Sequence, residues 1–274
     1  MLETIYFSFI RPTIEYADCI WYGSHDSDLD KLDRIQIDAM RIVSGATARS
    51  NINNLYEELA WPSLHERRLK HSLCMMYKIV NGEAPPYLLD LLPTTVGNRS
   101  EYTTKLRSAH NIDDPLAKNS LQCLRRSFFP RTIREWNSID HNTRNAQNLK
   151  SFKSLLSADS NAENSLFYYG QRWPCIHHAR MRMGCSKLNY HLFNNHLVLS
   201  PACSCGYHTE DPTHFLLNCP NYAALRLSML NIISPLCRIS TASLLYGDKG
   251  CSPDVNIKIF DEVHKFILLS NRFD

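Results

Sequence analysis

The chain has 274 residues, of which 44% are hydrophobic and 21% charged, a composition that indicates a folded globular protein and excludes a disordered chain. Its net charge of +3 permits contact with nucleic acid without requiring it. Because neither a secretory signal nor a membrane-spanning apolar run is apparent, we expect no membrane partner and an intracellular protein, nuclear or cytoplasmic, whose ten cysteines stay reduced.

The first part of the chain has helical periodicity with recognisable helix ends. A helix with a proline break is expected over residues 2–22, and an amphipathic helix over 26–45 that ends on a glycine. Ser63 and Glu66 have the spacing of a capping box, in which each side chain accepts a hydrogen bond from the backbone of the other residue. The helix that they open is expected to end at residues 81–82.

Shorter helices are expected in the rest of the chain, with a polar linker at 158–165 as the main domain boundary. Strand-like patterns are limited to short pieces near 166–169 and 197–204. The sequence therefore predicts a mainly α fold, in which a helical region precedes a smaller helical tail. Its three parts are 1–92, 93–165 and 166–274. The predicted helices of the last two parts cover 128–138, 149–157, 174–184 and 188–195, and two more begin at Pro220 and at Ser252-Pro253.

One stretch near the end of the chain combines the side chains that zinc prefers. Cys203, Cys205, His214 and Cys219 follow the pattern C-x-C, eight residues, H, four residues, C. Thiolate and imidazole suit a tetrahedral Zn²⁺ ion, and Gly206 allows the backbone to turn around it. Because four protein ligands leave no open position for water, the predicted cofactor is a structural zinc ion and not a hydrolytic one.

Two alternatives remain open for this stretch. His208 competes with His214 as a ligand, and a C-x-C pair is less distinctive than C-x-x-C, so chance clustering in a cysteine-rich chain also accounts for the pattern. Asp211 has the position of a helix N-cap. His214 and Cys219, five residues apart, share one side of the helix that follows only if that helix loosens near Asn218.

The sequence carries no complete catalytic site. Tyr16-Ala17-Asp18 resembles the start of the Tyr-Ala-Asp-Asp motif of reverse transcriptases, but Cys19 stands where the second metal-binding aspartate is needed. His177-His178, near Cys175 and Cys185, is interpreted as a partly buried pair in preference to a second metal site. Walker, serine-elbow and His-Glu-x-x-His motifs are absent. We expect no enzymatic activity from this chain alone, and no small-molecule substrate.

The order of several motifs resembles one family. The runs IRPTIEYADCIWYG, LDKLDRIQIDAMRIVSGA and LYEELAWPSLHERRLKHSLCMMYKIVNGEAPPYLLDLLP are similar to the segment after the polymerase core in reverse transcriptases of jockey-like non-LTR retrotransposons. RRSFFPRTIREWNSI and LKSFKSLL look like the next blocks, and CSCGYHTEDPTHFLLNCPNY resembles the family's carboxyl-terminal Cys-Cys-His-Cys element. The resemblance extends over nearly the whole chain.

The resemblance implies a thumb-like region in residues 1–92 and a zinc-element tail in 166–274. Since no position matches the polymerase aspartates, it implies a truncated, non-catalytic part of an RNA-directed DNA polymerase, with the missing core as its intramolecular partner in the full-length element. RNA or DNA is the implied partner. The alternatives are a zinc-stabilised protein-interaction module and a non-functional pseudogene product. The arginines nominated for phosphate contacts, which a solvated helix face also explains, are Arg67, Arg68, Arg125, Arg126, Arg131, Arg180 and Arg182.

Overall fold

The fold is mainly α-helical, as the sequence predicts. The computed structural model describes residues 2–99, 104, 108–114, 121–156 and 170–274. Within these ranges no strand forms, and the one pairing of extended backbone is an isolated antiparallel bridge between Thr95 and Ile112. None of the described helices is both long enough and apolar enough to cross a membrane.

Most helices in the described ranges are short, and three of them are longer than fifteen residues. The α-helices are α1 (Leu2–Ile5), α2 (Arg11–Ile14), α3 (Asp18–Trp21), α4 (Asp26–Ser44), α5 (Ile52–Leu59), α6 (Leu64–Val80), α7 (Pro86–Asp90), α8 (Gln122–Arg126), α9 (Phe128–Ser138), α10 (His141–Arg144), α11 (Leu149–Leu155), α12 (Arg172–Arg182), α13 (Asn189–Asn194), α14 (Ala223–Ile233), α15 (Thr241–Tyr246) and α16 (Pro253–Ser270). Residues Tyr6–Ile10 and His214–Asn218 are π-helical, and Val96–Arg99 and Pro220–Tyr222 are 3₁₀-helical.

The predicted helix ends depend on local hydrogen bonds, and the structure contains them. At the start of α6 the Glu66 N–H donates to Ser63 Oγ at 3.1 Å, and the Ser63 N–H donates to Glu66 Oε2 at 2.8 Å. Gly45, directly after α4, has φ +70°, and a Cβ there would lie 2.4 Å from Ile176 Cγ1. Glycine is therefore required twice at this helix end, for its backbone angle and for the close packing.

Two local predictions are wrong. The chain near 197–204 forms no strand, because its backbone is used in the tight turns that precede and include the cysteine pair. The helix expected over 2–22 is broken at Ala17, which has φ 52°, whereas the backbone stays helical through Pro12, directly after the π-helical segment Tyr6–Ile10. The pieces at 158–165 and 166–169 lie outside the described residues.

The chain divides into two compact units. Glu3–Gln36 and Pro62–Ser160 belong to unit 1, and Ile37–Trp61 and Asn161–Asp274 belong to unit 2. Residues 37–61 thus group with the C-terminal part of the chain. The three-part domain organisation expected from the sequence stays a prediction.

Unit 1 has a core built on α6, against which α9 and α11 pack. The ring of Tyr77 stacks on Phe152 at 4.6 Å between centroids, and the Tyr77 hydroxyl donates to the carbonyl of Ala146 at 2.7 Å. The polar end of this buried tyrosine is therefore satisfied while its ring fills the core. The buried residues of this core are Leu73, Cys74, Met76, Tyr77, Ile112, Ile133, Trp136 and Phe152.

Unit 2 has a larger core that surrounds α16. The stripe of Ile259, Val263, Phe266 and Ile267 on this helix is buried against residues of α12, α14 and α15. Phe215 and Leu216 of the π-helical segment are fully buried in the same core. The segment that carries His214 is therefore anchored by its apolar neighbours, which fixes where its ligand side chain points.

A buried ion pair joins α5 to α12 within unit 2. Arg182 donates from Nη2 to Glu58 Oε1 at 2.5 Å and from Nε to Glu58 Oε2 at 3.0 Å, and the two side chains are 1% and 4% exposed. Arg182 Nη1 also donates to the carbonyl of Leu245 at 3.3 Å. A buried pair with this many hydrogen bonds is costly to break, because removing one member leaves the other charged and unsolvated.

We predict that Glu58→Ala lowers the free energy of unfolding by about 3–5 kcal/mol, since Arg182 would remain buried without a counter-charge. Asp28→Ala is the control, because it removes an ion pair with Lys31 in which the side chains are 58% and 71% exposed, and it should leave the melting temperature unchanged. Urea denaturation followed by circular dichroism measures both. Equal effects of the two substitutions would contradict a structural role for the buried pair.

A second polar group in the core of unit 2 is a pair of histidines. His178 Nε2 lies 3.0 Å from the carbonyl oxygen of Leu244, and His178 Nδ1 lies 3.1 Å from His264 Nε2. Since a carbonyl only accepts, His178 carries its proton on Nε2 and accepts from His264, whose Nδ1 faces Cys175 Sγ at 3.9 Å. Burial, with a further contribution from the charge of Arg182, lowers the pKa of His264 to about 4 and that of His178 well below its usual value.

This pair should make the protein sensitive to acid. The unfolded chain, with histidine pKa values near 6.5, binds more protons than the folded one, so stability falls as the pH drops from about 6.5 towards 4. His264→Gln should reduce that loss by about 2 kcal/mol between pH 6.5 and 4.5. His141→Gln, at an exposed histidine, should retain the wild-type pH dependence. Chemical denaturation at a series of pH values tests this, and parallel curves for wild type and His264→Gln would refute it.

Candidate metal centre

Four side chains of unit 2 converge on one point. The ligand atoms of Cys203, Cys205, His214 and Cys219 all lie within 4.8 Å of one another. Cys203 Sγ is 3.7 Å from Cys219 Sγ, and Cys205 Sγ is 3.3 Å from His214 Nε2. Around a tetrahedral zinc ion the corresponding edges would be about 3.8 Å between two sulfurs and about 3.5 Å between sulfur and nitrogen. The group could therefore hold one metal ion.

The two N-terminal cysteines are brought together by a tight turn. The Cys203 N–H donates to the carbonyl of Tyr207 at 2.9 Å, and the Gly206 N–H donates to the carbonyl of Cys203 at 3.0 Å. Gly206 has φ +92°, a backbone angle that L residues rarely adopt. The C-x-C-G sequence thus closes a loop that presents both thiols to the same side.

The other two ligands depend on a π-helical turn. The Asp211 side chain accepts from the His214 N–H at 2.6 Å, as expected of an N-cap. The Cys219 N–H donates to the carbonyl of His214 at 2.7 Å, a bond from residue i+5 to residue i. In an α-helix residues five apart would point about 140° away from each other. The wider turn brings Cys219 back beneath His214, so the loosened helix that the spacing required is present.

His214, and not His208, belongs to the cluster. Its ring stacks on Tyr207 at 4.5 Å between centroids with 2° between the planes, while Nε2 faces Cys205. Its Nδ1 is buried and has no hydrogen-bond partner among the described residues. His208 is exposed and lies outside the group. The imidazole is therefore oriented by packing against an aromatic ring, with Nε2 as the available ligand atom.

A buried carboxylate and its arginine partner lie beside the first cysteine. Glu210 accepts from the Asn189 N–H at 2.9 Å and from Arg272 at 2.7 and 2.5 Å, and its Oε1 lies 3.9 Å from Cys203 Sγ. The Arg226 guanidinium donates to the carbonyl of Cys219 at 2.5 Å. Sequence reasoning missed all three charged residues, because Arg272 is 62 positions from Glu210 and no local pattern links such distant residues.

The electrostatics of the cluster suit a bound cation. Burial raises the pKa of Cys219 to about 12, whereas a backbone hydrogen bond from Tyr207 lowers the pKa of Cys205. Burial also lowers the pKa of His214, which favours the neutral imidazole that binds metals. A divalent cation would offset the cost of burying thiolates, so the protein and a metal would stabilise each other.

The chain was compared with known families and structures. No family model, curated protein or solved structure matches it. The likeness to a reverse transcriptase tail therefore depends on the order of motifs in the sequence alone. Among the described residues, the four-ligand cluster is the only group of three or more histidines, cysteines or acids that could hold a metal.

Tyr16-Ala17-Asp18 is not part of such a group. Ala17 adopts a left-handed backbone conformation, and the Asp18 side chain is 4% exposed with Oδ2 2.6 Å from His71 Nδ1. Asp18 is thus a buried partner of an imidazole. The interpretation of His177-His178 as a buried pair agrees with the hydrogen bond of His178 to His264.

The arginines nominated for nucleic acid have varied surroundings. Arg68 and Arg182 are buried in ion pairs with Asp33 and Glu58, and Arg67 pairs with Glu15.

Of the other four, Arg126 pairs with Asp26 at 2.8 Å, and Arg131 lies over the Tyr22 ring at 4.3 Å. Arg180 Nε donates to the carbonyl of Gly45 at 2.7 Å. Arg125 is exposed, and its guanidinium has no bond to the described residues. Nucleic-acid contact by the set stays a prediction, and Arg125 is its most accessible member.

We predict that Glu210→Gln weakens metal binding about 10- to 100-fold, the usual cost of losing a residue that supports a ligand. The neutral amide would lose the charge that holds Arg272 beside the cluster. Asn221→Ala is the control, because Asn221 makes an exposed contact to Ser204 at 3.2 Å and should bind metal like wild type. Competition with a chelating indicator gives both affinities. Wild-type affinity in Glu210→Gln would show that the carboxylate plays no part.

Proposed function

We propose that Cys203, Cys205, His214 and Cys219 bind one structural Zn²⁺ ion. The observation that carries this proposal is the convergence of three sulfurs and one imidazole nitrogen, all within 4.8 Å of one another. Calcium and magnesium prefer oxygen ligands, whereas sulfur and imidazole together suit zinc. With four protein ligands no position is open for a catalytic water.

The zinc ion would have a mechanical role in unit 2. It would join the turn at Cys203–Tyr207 to the π-helical segment, whose Phe215 and Leu216 are buried in the core. Neither segment forms repetitive structure long enough to be stable by itself. The binding energy of the ion would therefore become folding energy of this unit.

We further propose that the chain is a non-catalytic, C-terminal part of an RNA-directed DNA polymerase of the jockey-like retrotransposon type, with residues 1–92 thumb-like and 166–274 as tail. The order of motifs and the ligand spacing support this proposal. The polymerase core and template RNA or DNA would be its partners.

The alternative is a zinc-stabilised module that binds protein. It is favoured by one observation: most of the nominated arginines already have intramolecular partners, such as Glu15, Asp33 and Glu58. Binding of single-stranded RNA that weakens with added salt separates the two proposals, because phosphate contacts release counterions and contacts with a neutral protein surface do not.

The zinc proposal is tested by metal analysis of the purified chain. Wild type should contain about one zinc per chain. Cys219→Ala should lose the zinc and the ordered structure of residues 200–236, since the ion supplies folding energy. His208→Ala, which removes the nearby exposed histidine, should keep the full zinc content. Co²⁺ substitution should give the absorption of a tetrahedral site with three sulfurs. Full zinc content in Cys219→Ala would refute the assignment.

A further inference from the structure

Unit 1 has a concave surface on which basic side chains gather. This arginine cleft has a volume of about 540 Å³ and is lined by Gln122, Arg125, Arg126 and Arg134, from α8 and the following α9. Among the described residues, no acidic side chain lines it. Cationic side chains that face the same depression repel one another, and nearby carboxylates or a bound anion reduce this repulsion.

The carboxylates around the cleft compensate it only in part. Arg126 pairs with Asp26, a side chain that is 73% exposed. Arg134 Nη1 is 3.8 Å from Asp114 Oδ2, which is too far for a hydrogen bond. That same Nη1 atom is buried and has no hydrogen-bond partner among the described residues. Asp114 thus balances the charge of Arg134 only in part, and the exposed Arg125 guanidinium has no carboxylate partner among the described residues.

The backbone around the cleft is held in place by the arginines themselves. Arg134 Nη2 donates to the carbonyl of Arg125 at 2.8 Å, and Arg131 Nη1 donates to the carbonyl of Arg126 at 3.1 Å. Gly23 packs directly on this turn, because a Cβ at that position would lie 2.1 Å from the Arg126 carbonyl oxygen. The backbone at the end of α8 is therefore fixed, and it holds the arginines of α8 beside those of α9.

We propose that the arginine cleft binds phosphate groups of a nucleic-acid backbone, an inference that rests on the proposed nucleic-acid partner and names where it is held. Guanidinium groups donate two parallel hydrogen bonds to phosphate oxygens, and the charge of a phosphodiester matches Arg125 and the only partly compensated Arg134. Among the described residues, no aromatic side chain on which a base could stack lines the cleft. Binding there is thus independent of base sequence.

An acidic peptide is the competing occupant, because carboxylates also pair with guanidinium groups. Peptide recognition, however, usually combines charge with a buried apolar anchor. The four described side chains that line the cleft are all polar or charged. The lining therefore favours a ligand that is recognised by its repeated negative charge alone, which is a phosphodiester strand.

The test is fluorescence anisotropy of labelled oligo(U) RNA of about 15 nucleotides, titrated with the full zinc-loaded chain at several salt concentrations. Arg125→Gln/Arg134→Gln should bind about 25-fold more weakly near 0.1 M salt, and its salt slope should be smaller by about 1.4, corresponding to two lost phosphate contacts. Arg49→Gln/Arg238→Gln removes two exposed arginines outside the cleft and should bind with wild-type affinity and slope.

The single variant Arg125→Gln controls for misfolding. It should fold like wild type, because the Arg125 side chain makes no hydrogen bond to the described residues. It should bind RNA about fivefold more weakly, as one lost contact requires. If both cleft variants bind RNA like wild type, the cleft is not the binding site, although the proposal of a nucleic-acid partner is retained. No salt-sensitive binding by the wild-type chain would overturn both.

Competitors identify the occupant. A DNA strand of the same length should displace the RNA, because both carry the same backbone charge. If polyglutamate displaces the RNA as effectively as DNA does, the cleft is a carboxylate site and the proposal fails. If millimolar inorganic phosphate displaces it completely, a free phosphate suffices, and the assignment to a strand fails.

Discussion

The convergence of the metal ligands depends on one backbone hydrogen bond, from the Cys219 N–H to the carbonyl of His214. If the helix kept α geometry to its end, the His214 imidazole and the Cys219 thiol would point to different sides. The π-helical turn is an uncommon backbone conformation, and Phe215 and Leu216, which are fully buried between the two ligands, anchor it in the core. The apolar core therefore determines the polar site, since it fixes the register of the segment that carries it.

The same unit buries several charged and polar groups, and three of them bond to partners far away in sequence. Glu210 accepts from Arg272, Glu58 pairs with Arg182, and His178 bonds to His264. These contacts add little net stability compared with apolar packing, but removing one partner is costly. They make the arrangement specific, because any other packing of the helices would leave a charge without a partner. A zinc ion at the cluster would act in the same way.

The sequence predicted what local chemistry decides. The capping box of Ser63 and Glu66, the glycine after α4 and the grouping of the four ligands all follow from short-range rules. It did not predict the grouping of residues 37–61 with the C-terminal part, nor the support of Cys203 by Glu210. The grouping depends on contacts between residues more than sixty positions apart. Glu210 is a carboxylate that the sequence does not distinguish from any exposed acid. The strand-like pattern near 197–204 failed for a related reason, because turn hydrogen bonds around the cysteines override weak alternation.

Arginines show why a basic sequence run does not by itself mark a binding surface. A guanidinium has five donors on a long stem, and in this fold most of those donors bind carboxylates or helix-end carbonyls of the chain itself. Arg131 and Arg180, for example, donate to backbone carbonyls. An arginine is available to a ligand when it lies at a concave surface and some of its N–H donors have no acceptor within the protein. A structural arginine has few such donors. By that criterion Arg125 and Arg134 stand apart from Arg68 and Arg182, although all four belong to similarly basic helical segments.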